Sequence, residues 1–175
     1  MKVTQAVGSM NPMNDQLCFR VASKADLPDV LRIYSQPDVD DGEMLSIADA
    51  ERIFERMSQY PNYKLYVAVA EGRVVGTFAL LIMDNLGHLG APSAIIEDVA
   101  VDPALQGQGI GRHMMQHALE VAAENGCYKA TLSSNLKRER AHAFYESLGF
   151  ERHGYSYRID AQQAVARGGH KKPGA

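Results

Sequence analysis

Residues 94–115 read Ala94-Ile-Ile-Glu-Asp-Val-Ala-Val-Asp-Pro-Ala-Leu-Gln-Gly-Gln-Gly-Ile-Gly-Arg-His-Met-Met115, and this stretch decides the fold. An apolar run with two adjacent acids comes first. Glycines then occupy every second position from 107 to 111, and an amphipathic pattern follows. This order predicts a strand, a tight loop and a helix. Because the first amide groups of a helix lack partners within it and the helix dipole adds positive potential, the loop favours an anion such as phosphate.

The chain before this stretch predicts three strands and two helices. The strands cover residues 17–22, 63–70 and 73–83, and the last two flank Glu71-Gly72, which is typical of a hairpin. The helices run through residues 29–34 and 46–59. Asp26 rather than Ser23 is the expected cap of the first helix, because Pro28 then falls in the first turn, where proline is tolerated.

The chain after this stretch completes the fold prediction. The central helix is expected over 109–124, followed by a strand over 127–133, a helix over 137–148 and a last strand over 155–159. The order predicts an α/β (α+β) fold, with a mixed, twisted sheet of six to seven strands flanked by about four helices. Residues 17–159 are expected to form one domain, with an extension over 1–16 and a disordered tail over 160–175.

Composition excludes several classes of protein. With 175 residues, 46% of them hydrophobic, the chain can build an ordinary globular core, and its net charge of −3 does not favour nucleic acid or membrane partners. No apolar run approaches the roughly 18 residues of a membrane span, and no signal peptide is expected. Cys18 and Cys127 stand alone, which does not indicate a disulfide framework. We therefore expect a cytoplasmic protein, and we allow for a homodimer.

The glycine spacing argues against two common nucleotide sites. The dinucleotide fingerprint requires G-x-G-x-x-G after a first strand, whereas this loop has G-x-G-x-G after a later one. A phosphate-binding P-loop requires a G-K-[ST] ending, which is absent here. A nucleotide-binding oxidoreductase is therefore a disfavoured alternative.

Two motifs identify a family. Gln106-Gly-Gln-Gly-Ile-Gly111 fits Q/R-x-x-G-x-G/A, and Ala141-His-Ala-Phe-Tyr-Glu-Ser-Leu-Gly-Phe150 fits A-x-x-F-Y-x-x-x-G-F. In this order they resemble the GNAT acetyltransferases, and the resemblance covers about residues 17–159. Within that family, residues 96–101 and 126–129 resemble the glucosamine-6-phosphate N-acetyltransferase branch. The family often has Asn where Arg138 stands, so Asn135 is expected to supply that polar contact.

The resemblance implies acetyl-CoA as co-substrate and a set of residues that contact it. The amide of Val99 would stabilise the oxyanion and Val101 would pair with the pantetheine arm, while the loop up to Arg112 would hold the pyrophosphate. The full set of expected cofactor contacts is Val99, Ala100, Val101, Gln106, Gly107, Gln108, Gly109, Ile110, Gly111, Arg112, Asn135, His142 and Phe144.

Acetyl transfer to an amine also needs a base and an acid. An acid within an apolar strand is costly unless it is bonded or functional, so Glu97 and Asp98 are candidates for the base, and the resemblance favours Glu97. A structural carboxylate that caps a loop or pairs with arginine is the alternative. Strand alternation places Glu97, Val99 and Val101 on one face and Ile96, Asp98 and Ala100 on the other. The resemblance makes Tyr145 the acid that protonates the sulfur; the alternative is an aromatic side chain that packs its helix.

No metal is expected. His113 and His117 have the spacing of metal ligands on a helix, but no third ligand is evident and a solvated face is the favoured interpretation. Met114-Met115 is expected in the core.

The expected function is acetyl transfer from acetyl-CoA to a primary amine of a small acceptor, by direct attack in a ternary complex. The alternative is a non-catalytic domain that binds acetyl-CoA as a sensor. The acceptor pocket is expected between the first two helices, the loop over 84–93 and the last strand. Its expected lining is Tyr34, His88, Tyr155 and Arg158, with Arg32, Lys129 and Arg158 as candidates for binding an amino sugar phosphate.

Overall fold

The structure is a computed structural model, and it describes residues 17–37 and 39–159. The chain divides after Leu132 into two compact units, each considered by itself. The predicted extension over 1–16 and the predicted tail over 160–175 lie outside the described residues.

The first unit is built on a mixed sheet in which the strands follow chain order. Strands β1 to β4 pair antiparallel, and β5 pairs parallel with β4. The left-handed Glu71 and Gly72, with φ of 50° and 77°, join β2 to β3 in the predicted hairpin. The strands are β1 (Cys18–Val21), β2 (Tyr63–Ala70), β3 (Arg73–Met83), β4 (Ser93–Val101) and β5 (Lys129–Leu132).

The mixed sheet is confirmed, but the predicted number of strands is wrong. The described chain forms five strands, and residues 155–159 are not among them. Alternating apolar residues predicted a strand there, yet a strand also needs a hydrogen-bonded neighbour, which the local pattern does not specify. The side chains of Tyr155, Tyr157 and Ile159 are exposed.

The described residues form four α-helices, as predicted. They are α1 (Leu27–Tyr34), α2 (Ile47–Ser58), α3 (Ile110–Glu124) and α4 (Glu139–Glu146). Pro28 lies in the first turn of α1, after a short 3₁₀ turn. Asp26 occupies the cap position, but its carboxylate accepts hydrogen bonds from the amide and hydroxyl groups of Ser23, so both candidate caps contribute to this helix start.

Helices cover both faces of the sheet. Leu65 and Val67 of β2 pack in one core cluster with Val30 and Ile33 of α1. The next side chain along β2, Tyr66, points to the opposite face, where its ring meets His117 of α3 at 5.6 Å. The sheet is therefore buried between α1 and α2 on one side and α3 on the other.

A glycine lets α3 approach the sheet closely. A Cβ atom at Gly76 would lie 2.5 Å from the sulfur of Met114 and 3.3 Å from the carbonyl oxygen of Ala100. Met114 and Met115 are fully buried, as predicted for the core. Val121, on the same helix, is only half-buried.

Candidate active site

The central strand β4 is paired along both edges only in its first half. Strand β5 pairs with β4 from Ser93 to Ile96, whereas β3 follows β4 as far as Val101. Between Glu97 and Val101, one edge of β4 therefore has no strand beside it in the described chain. Such an edge presents backbone amide and carbonyl groups that can pair with an extended ligand.

A β-bulge interrupts β4 where the two acids lie. Glu97 pairs with Ala79 and Ala100 with Thr77, so Asp98 and Val99 together oppose one residue of β3. Asp98 has a left-handed backbone, with φ of 52°. A bulge of this kind bends the strand and leaves its extra residue out of the ladder.

The bulge overturns the predicted alternation of faces. Strand alternation placed Ala100 on the face opposite to Glu97, but Ala100 joins the core cluster of Ala79, the direct partner of Glu97. The extra residue shifts the alternation by one position. The signal in the sequence is weak: Asp is one of the few residues that tolerate a left-handed backbone.

The two acids experience an environment that favours their protonated forms. Partial desolvation, followed by the charge of Asp98, raises the pKa of Glu97; desolvation and the charge of Asp40 raise the pKa of Asp98. Within residues 17–37 and 39–159 neither acid forms an ion pair, which disfavours the interpretation of Glu97 as an arginine-paired structural carboxylate. Groups with raised pKa at a strand bulge are candidates for acid–base chemistry.

Tyr34 contributes a buried hydroxyl near these acids. Its oxygen is buried without a hydrogen-bond partner in the described chain, and the nearby Thr77 hydroxyl donates to the carbonyl oxygen of Tyr66 at 2.9 Å. Burial raises the pKa of Tyr34, and the charge of Asp98 raises it further. Tyr34 was predicted to line the acceptor pocket, and it lies close to the bulge.

The glycine loop has the geometry of an anion site. Asp102 caps a short 3₁₀ turn after β4, and Gly107 and Gly109 are left-handed, with φ of 79° and 90°. Gly109 is the N-cap residue of α3, and because it has no side chain the first turn is not capped in the usual way. The loop therefore presents backbone amides and the positive end of the helix dipole.

The side chain of Gln106 lies against the ends of β4 and α1. Its Nε2 atom is 3.0 Å from Oε1 of Gln36 and 3.3 Å from the carbonyl oxygen of Val101. The Nε2 atom of Gln36 is 2.7 Å from the carbonyl oxygen of Ile33 and 3.3 Å from that of Val101. Gln36 had not been predicted from the sequence, because nothing in the local pattern around it indicates a contact 70 residues away.

Arg32, a candidate from the sequence for binding an amino sugar phosphate, makes three contacts within the fold. Its Nη1 atom lies 2.7 Å from the carboxylate of Asp102, and its Nη2 atom donates to the carbonyl oxygen of Val74 at 3.3 Å. A third contact, at 3.2 Å, joins it to Asp29. The guanidinium group therefore fixes α1 to the start of the glycine loop.

A cavity of about 370 Å³ opens beside the starts of β4 and β5. The ring of His88 stacks on that of Tyr128 at 4.1 Å, and the ammonium group of Lys129 lies 5.2 Å from the centre of the same ring. The amide nitrogen of Asn85 donates to the carbonyl oxygen of Ala91, while its Oδ1 atom is buried without a partner in the described chain. The structure thus brings together His88 and Lys129, both named from the sequence. The cavity is lined by Met83, Asn85, Gly87, His88, Ser93, Ile95, Tyr128, Lys129 and Thr131.

The second unit holds the other predicted site residues. The ring of Tyr145 contacts those of Phe144 and Phe150, and desolvation raises the pKa of its phenol, while the charge of Arg138 acts in the opposite direction. Oδ1 of Asn135 accepts from the amide of Lys137 at 3.0 Å. This contact forms the turn before α4.

The unit also places His142 beside the same turn, and it does not form the predicted last strand. The Nε2 atom of His142 is 2.9 Å from the carbonyl oxygen of Asn135. Tyr155 and Arg158, predicted to line the acceptor pocket, are exposed and lie outside regular structure.

The predicted solvated face at His113 and His117 is wrong for His117. His117 stacks on Phe19 at 5.1 Å and meets Tyr66 edge-on, so it is part of the packing of α3. The Nδ1 atom of His113 lies 3.0 Å from the carbonyl oxygen of Gly109. In the part of the chain that the structure describes, no three His, Cys, Asp or Glu residues form a group that could hold a metal ion.

Comparisons with known proteins agree with this geometry. A glucosamine 6-phosphate N-acetyltransferase of Trypanosoma brucei brucei is 32% identical over 81% of this chain and 94% of its own length. An aminoalkylphosphonate N-acetyltransferase of Salmonella typhimurium is 34% identical over 52% of this chain and 58% of its own length. The solved structure of a Trypanosoma brucei acetyltransferase aligns with a TM-score of 0.72 and 30% identity, and covers 82% of this chain and 99% of its own.

A glycine loop at a helix start lies beside a central strand that is free along one edge, so the site can hold an extended ligand with an anionic group. The acetyltransferase (GNAT) family model matches residues 27–150, and the chain belongs to this family. It is an acetyl-CoA-dependent N-acetyltransferase. None of the described helices is both long and apolar enough to span a membrane. The expected cytoplasmic location and homodimer stay predictions.

Proposed function

We propose that this protein transfers the acetyl group of acetyl-CoA to the primary amine of a small acceptor that carries a phosphate or phosphonate group. The observation that carries the proposal is the free edge of β4 from Glu97 to Val101, which contains the bulge with the two acids and ends just before the glycine loop. The groups proposed to bind the cofactor, to remove the proton and to stabilise the attacked thioester then lie along one short segment. The acceptor attacks directly, while both substrates are bound.

The cofactor is held by backbone groups. The pantetheine arm extends along the free edge beside Val99, Ala100 and Val101, where a strand would otherwise pair. The pyrophosphate lies over the amides of residues 107–111, because glycine allows close approach and the helix start attracts the anion. The amide of Val99, beside the bulge, donates to the carbonyl oxygen of the thioester as negative charge develops on it.

Glu97 acts as the base. An alkyl amine has a pKa of roughly 10, so at neutral pH it must lose a proton before it can attack. Glu97 removes that proton directly or through one water molecule. Its raised pKa supports this role, because it brings the carboxylate closer to the working pH.

Tyr145 completes the proton balance. The amine nitrogen forms a bond to the thioester carbon, the carbon–sulfur bond breaks, and the phenol gives its proton to the departing thiolate. Desolvation raises the pKa of Tyr145, which keeps the phenol protonated before the reaction. The acetylated nitrogen loses its second proton to solvent as the amide forms, and the tyrosinate regains a proton from solvent.

The cavity beside β5 supports an anionic acceptor. Lys129 supplies a positive charge, His88 a ring nitrogen, and the buried Oδ1 atom of Asn85 an acceptor for a ligand hydroxyl or amine. Ile95 lines the cavity and lies two residues before Glu97, a separation of about 7 Å along a strand. A small amine with an anionic end spans that distance. The two relatives above carry names for amines of this kind, a sugar phosphate and aminoalkylphosphonates.

The test is thiol release from acetyl-CoA with paired acceptors: glucosamine 6-phosphate against glucosamine, and 2-aminoethylphosphonate against ethanolamine. We expect turnover of the anionic member of a pair, and we expect Lys129→Gln to raise its KM about 10-fold while Lys24→Gln, an exposed lysine elsewhere, leaves it unchanged. Equal rates within each pair would contradict the anionic acceptor. Binding of acetyl-CoA without thiol release for any amine would favour the sensor.

A further inference from the structure

The two glutamine side chains at the end of β4 use all of their donors on the protein. A glutamine amide has two N–H groups. Those of Gln106 point to Oε1 of Gln36 and to the carbonyl oxygen of Val101, at 3.0 and 3.3 Å. Those of Gln36 point to the carbonyl oxygens of Ile33 and Val101, at 2.7 and 3.3 Å. Gln106 therefore offers a phosphate only its oxygen, which cannot donate.

This arrangement changes the role expected for Gln106. A side chain with no donor left does not stabilise an anion, whereas the backbone amides of the following glycine loop do. Its two hydrogen bonds instead fasten the start of the loop to β4 and α1. A loop that is already fixed loses less conformational entropy when it binds a ligand.

The same end of α1 is tied to the segment that follows it. The amide of Asp40 donates to the carbonyl oxygen of Tyr34 at 3.0 Å, and that of Gly42 donates to the carbonyl oxygen of Ser35 at 2.8 Å. These two backbone hydrogen bonds hold the segment that carries Gln36. The side chain of Gln36 then contacts Gln106 and the carbonyl oxygen of Val101. Gln36 therefore connects the glycine loop to the end of α1, in addition to the connection that Arg32 makes through Asp102.

We propose that Gln36 is a positioning residue for coenzyme A: it holds Gln106, and through Gln106 the pyrophosphate loop, in the shape that binds the cofactor. Gln36 itself touches neither the cofactor nor the reacting atoms. The proposal rests on the proposed function only in assigning the glycine loop to coenzyme A. It predicts that loss of Gln36 weakens cofactor binding and leaves the chemical step intact.

A double-mutant cycle on acetyl-CoA affinity tests this. The dissociation constant is measured by calorimetry for the wild type, Gln36→Ala, Gln106→Ala and the double variant, with Gln59→Ala as the control for an exposed glutamine away from the loop. We expect each single variant of the pair to weaken binding about 3- to 10-fold, the worth of one or two neutral hydrogen bonds. The double variant should be no weaker than the weaker single, because both changes remove one shared contact. kcat with saturating acetyl-CoA should stay within about twofold, and the melting temperature should stay close to that of the wild type.

The outcomes separate the two proposals. No acetyl-CoA binding by the wild-type protein would overturn the proposed function. Wild-type binding that Gln36→Ala leaves unchanged would overturn the positioning role alone. Additive losses in the cycle would do the same, because they would mean that Gln36 does not act through Gln106. A much larger loss in Gln106→Ala than in Gln36→Ala would assign Gln106 to the phosphates directly and would also overturn the proposal.

Discussion

Two pairs of acids in this protein have opposite environments. Asp26 and Asp102 are buried, and each accepts a hydrogen bond from an arginine at 2.7 Å and one from a backbone amide. Glu97 and Asp98 are more exposed, although partly desolvated, and neither forms an ion pair with an arginine in the described residues. Burial alone would predict raised pKa values for Asp26 and Asp102. Instead their pKa values are lowered, and those of Glu97 and Asp98 are raised.

The pKa shifts state the difference. The hydrogen bond from Arg20 holds the pKa of Asp26 far below its usual range, against the opposing effect of burial. Burial acts to raise the pKa of Asp102, but its hydrogen bonds, that from Arg32 first, outweigh burial and lower it. The pKa values of Glu97 and Asp98 are raised. The hydrogen-bond partner, more than the depth, separates acids that hold the fold from acids available for chemistry.

The largest expected effect is the loss of activity in Glu97→Gln. Removal of the proposed base should lower kcat/KM for the amine acceptor by about 10²- to 10⁴-fold, with little change in stability, because no ion pair is broken. Steady-state thiol release and thermal unfolding measure the two quantities. Glu124→Gln, an exposed glutamate at the end of α3, is the matched control. A loss of less than about fivefold would place the base elsewhere.

The converse substitution, Asp26→Asn, should cost stability and spare activity. It removes the charged partner of Arg20 and weakens the bonds to Ser23. Because Arg20 is 43% exposed, solvent screens the pair, and we expect a loss of about 1–2 kcal/mol in the free energy of unfolding. Urea unfolding at pH 7 measures it. A drop in kcat/KM without a loss of stability would erase the distinction between the two pairs of acids.

The smallest effect is in the pH dependence of stability. The folded-state pKa of Asp26 is lowered, so its contribution is complete above the unfolded value of about 3.9 and is lost as the pH falls toward the folded value. Glu97 has the opposite sign: its raised pKa means that stability falls as the pH rises from about 4.3 through the folded value.

Urea unfolding between pH 3 and pH 6 measures both effects. We expect each group to change the free energy of unfolding by about 1 kcal/mol or less over this range. Asp26→Asn should flatten the loss of stability in acid, and Glu97→Gln should be slightly more stable than the wild type at pH 6. Unchanged slopes in both variants would mean that the environments of the two acids do not differ in solution.

The elements that the sequence predicted well are those whose signals are local. The hydroxyl oxygen of Ser46 accepts a hydrogen bond from the amide of Asp49 at 3.1 Å. This cap begins α2 at the residue where the helical pattern of the sequence begins. The glycine loop and the hairpin at Glu71 and Gly72 were likewise placed by short-range rules about which residues tolerate a positive φ.

The features that the sequence did not reveal depend on pairing between distant segments. The bulge at Asp98 follows from the register of β4 against β3, and the packing of His117 follows from where Phe19 and Tyr66 meet α3. The roles of Arg32 and Gln36 arise in the same way, through partners far along the chain. Periodicity reports which side of an element is apolar, and it contains no information about which distant atoms will lie beside it.

The contact between Gly76 and Met114 is expected to protect this methionine from oxidants. The sulfur of Met114 lies where even a methyl group on Gly76 would not fit, so the added oxygen of a sulfoxide has no room there. Met44 and Met83 are exposed, at 55% and 43%, and we expect both to react before Met114 under mild peroxide. The surface methionines can thus be oxidised while Met114 stays reduced. Sulfoxide at Met114 would then show that the contact between α3 and the sheet had opened.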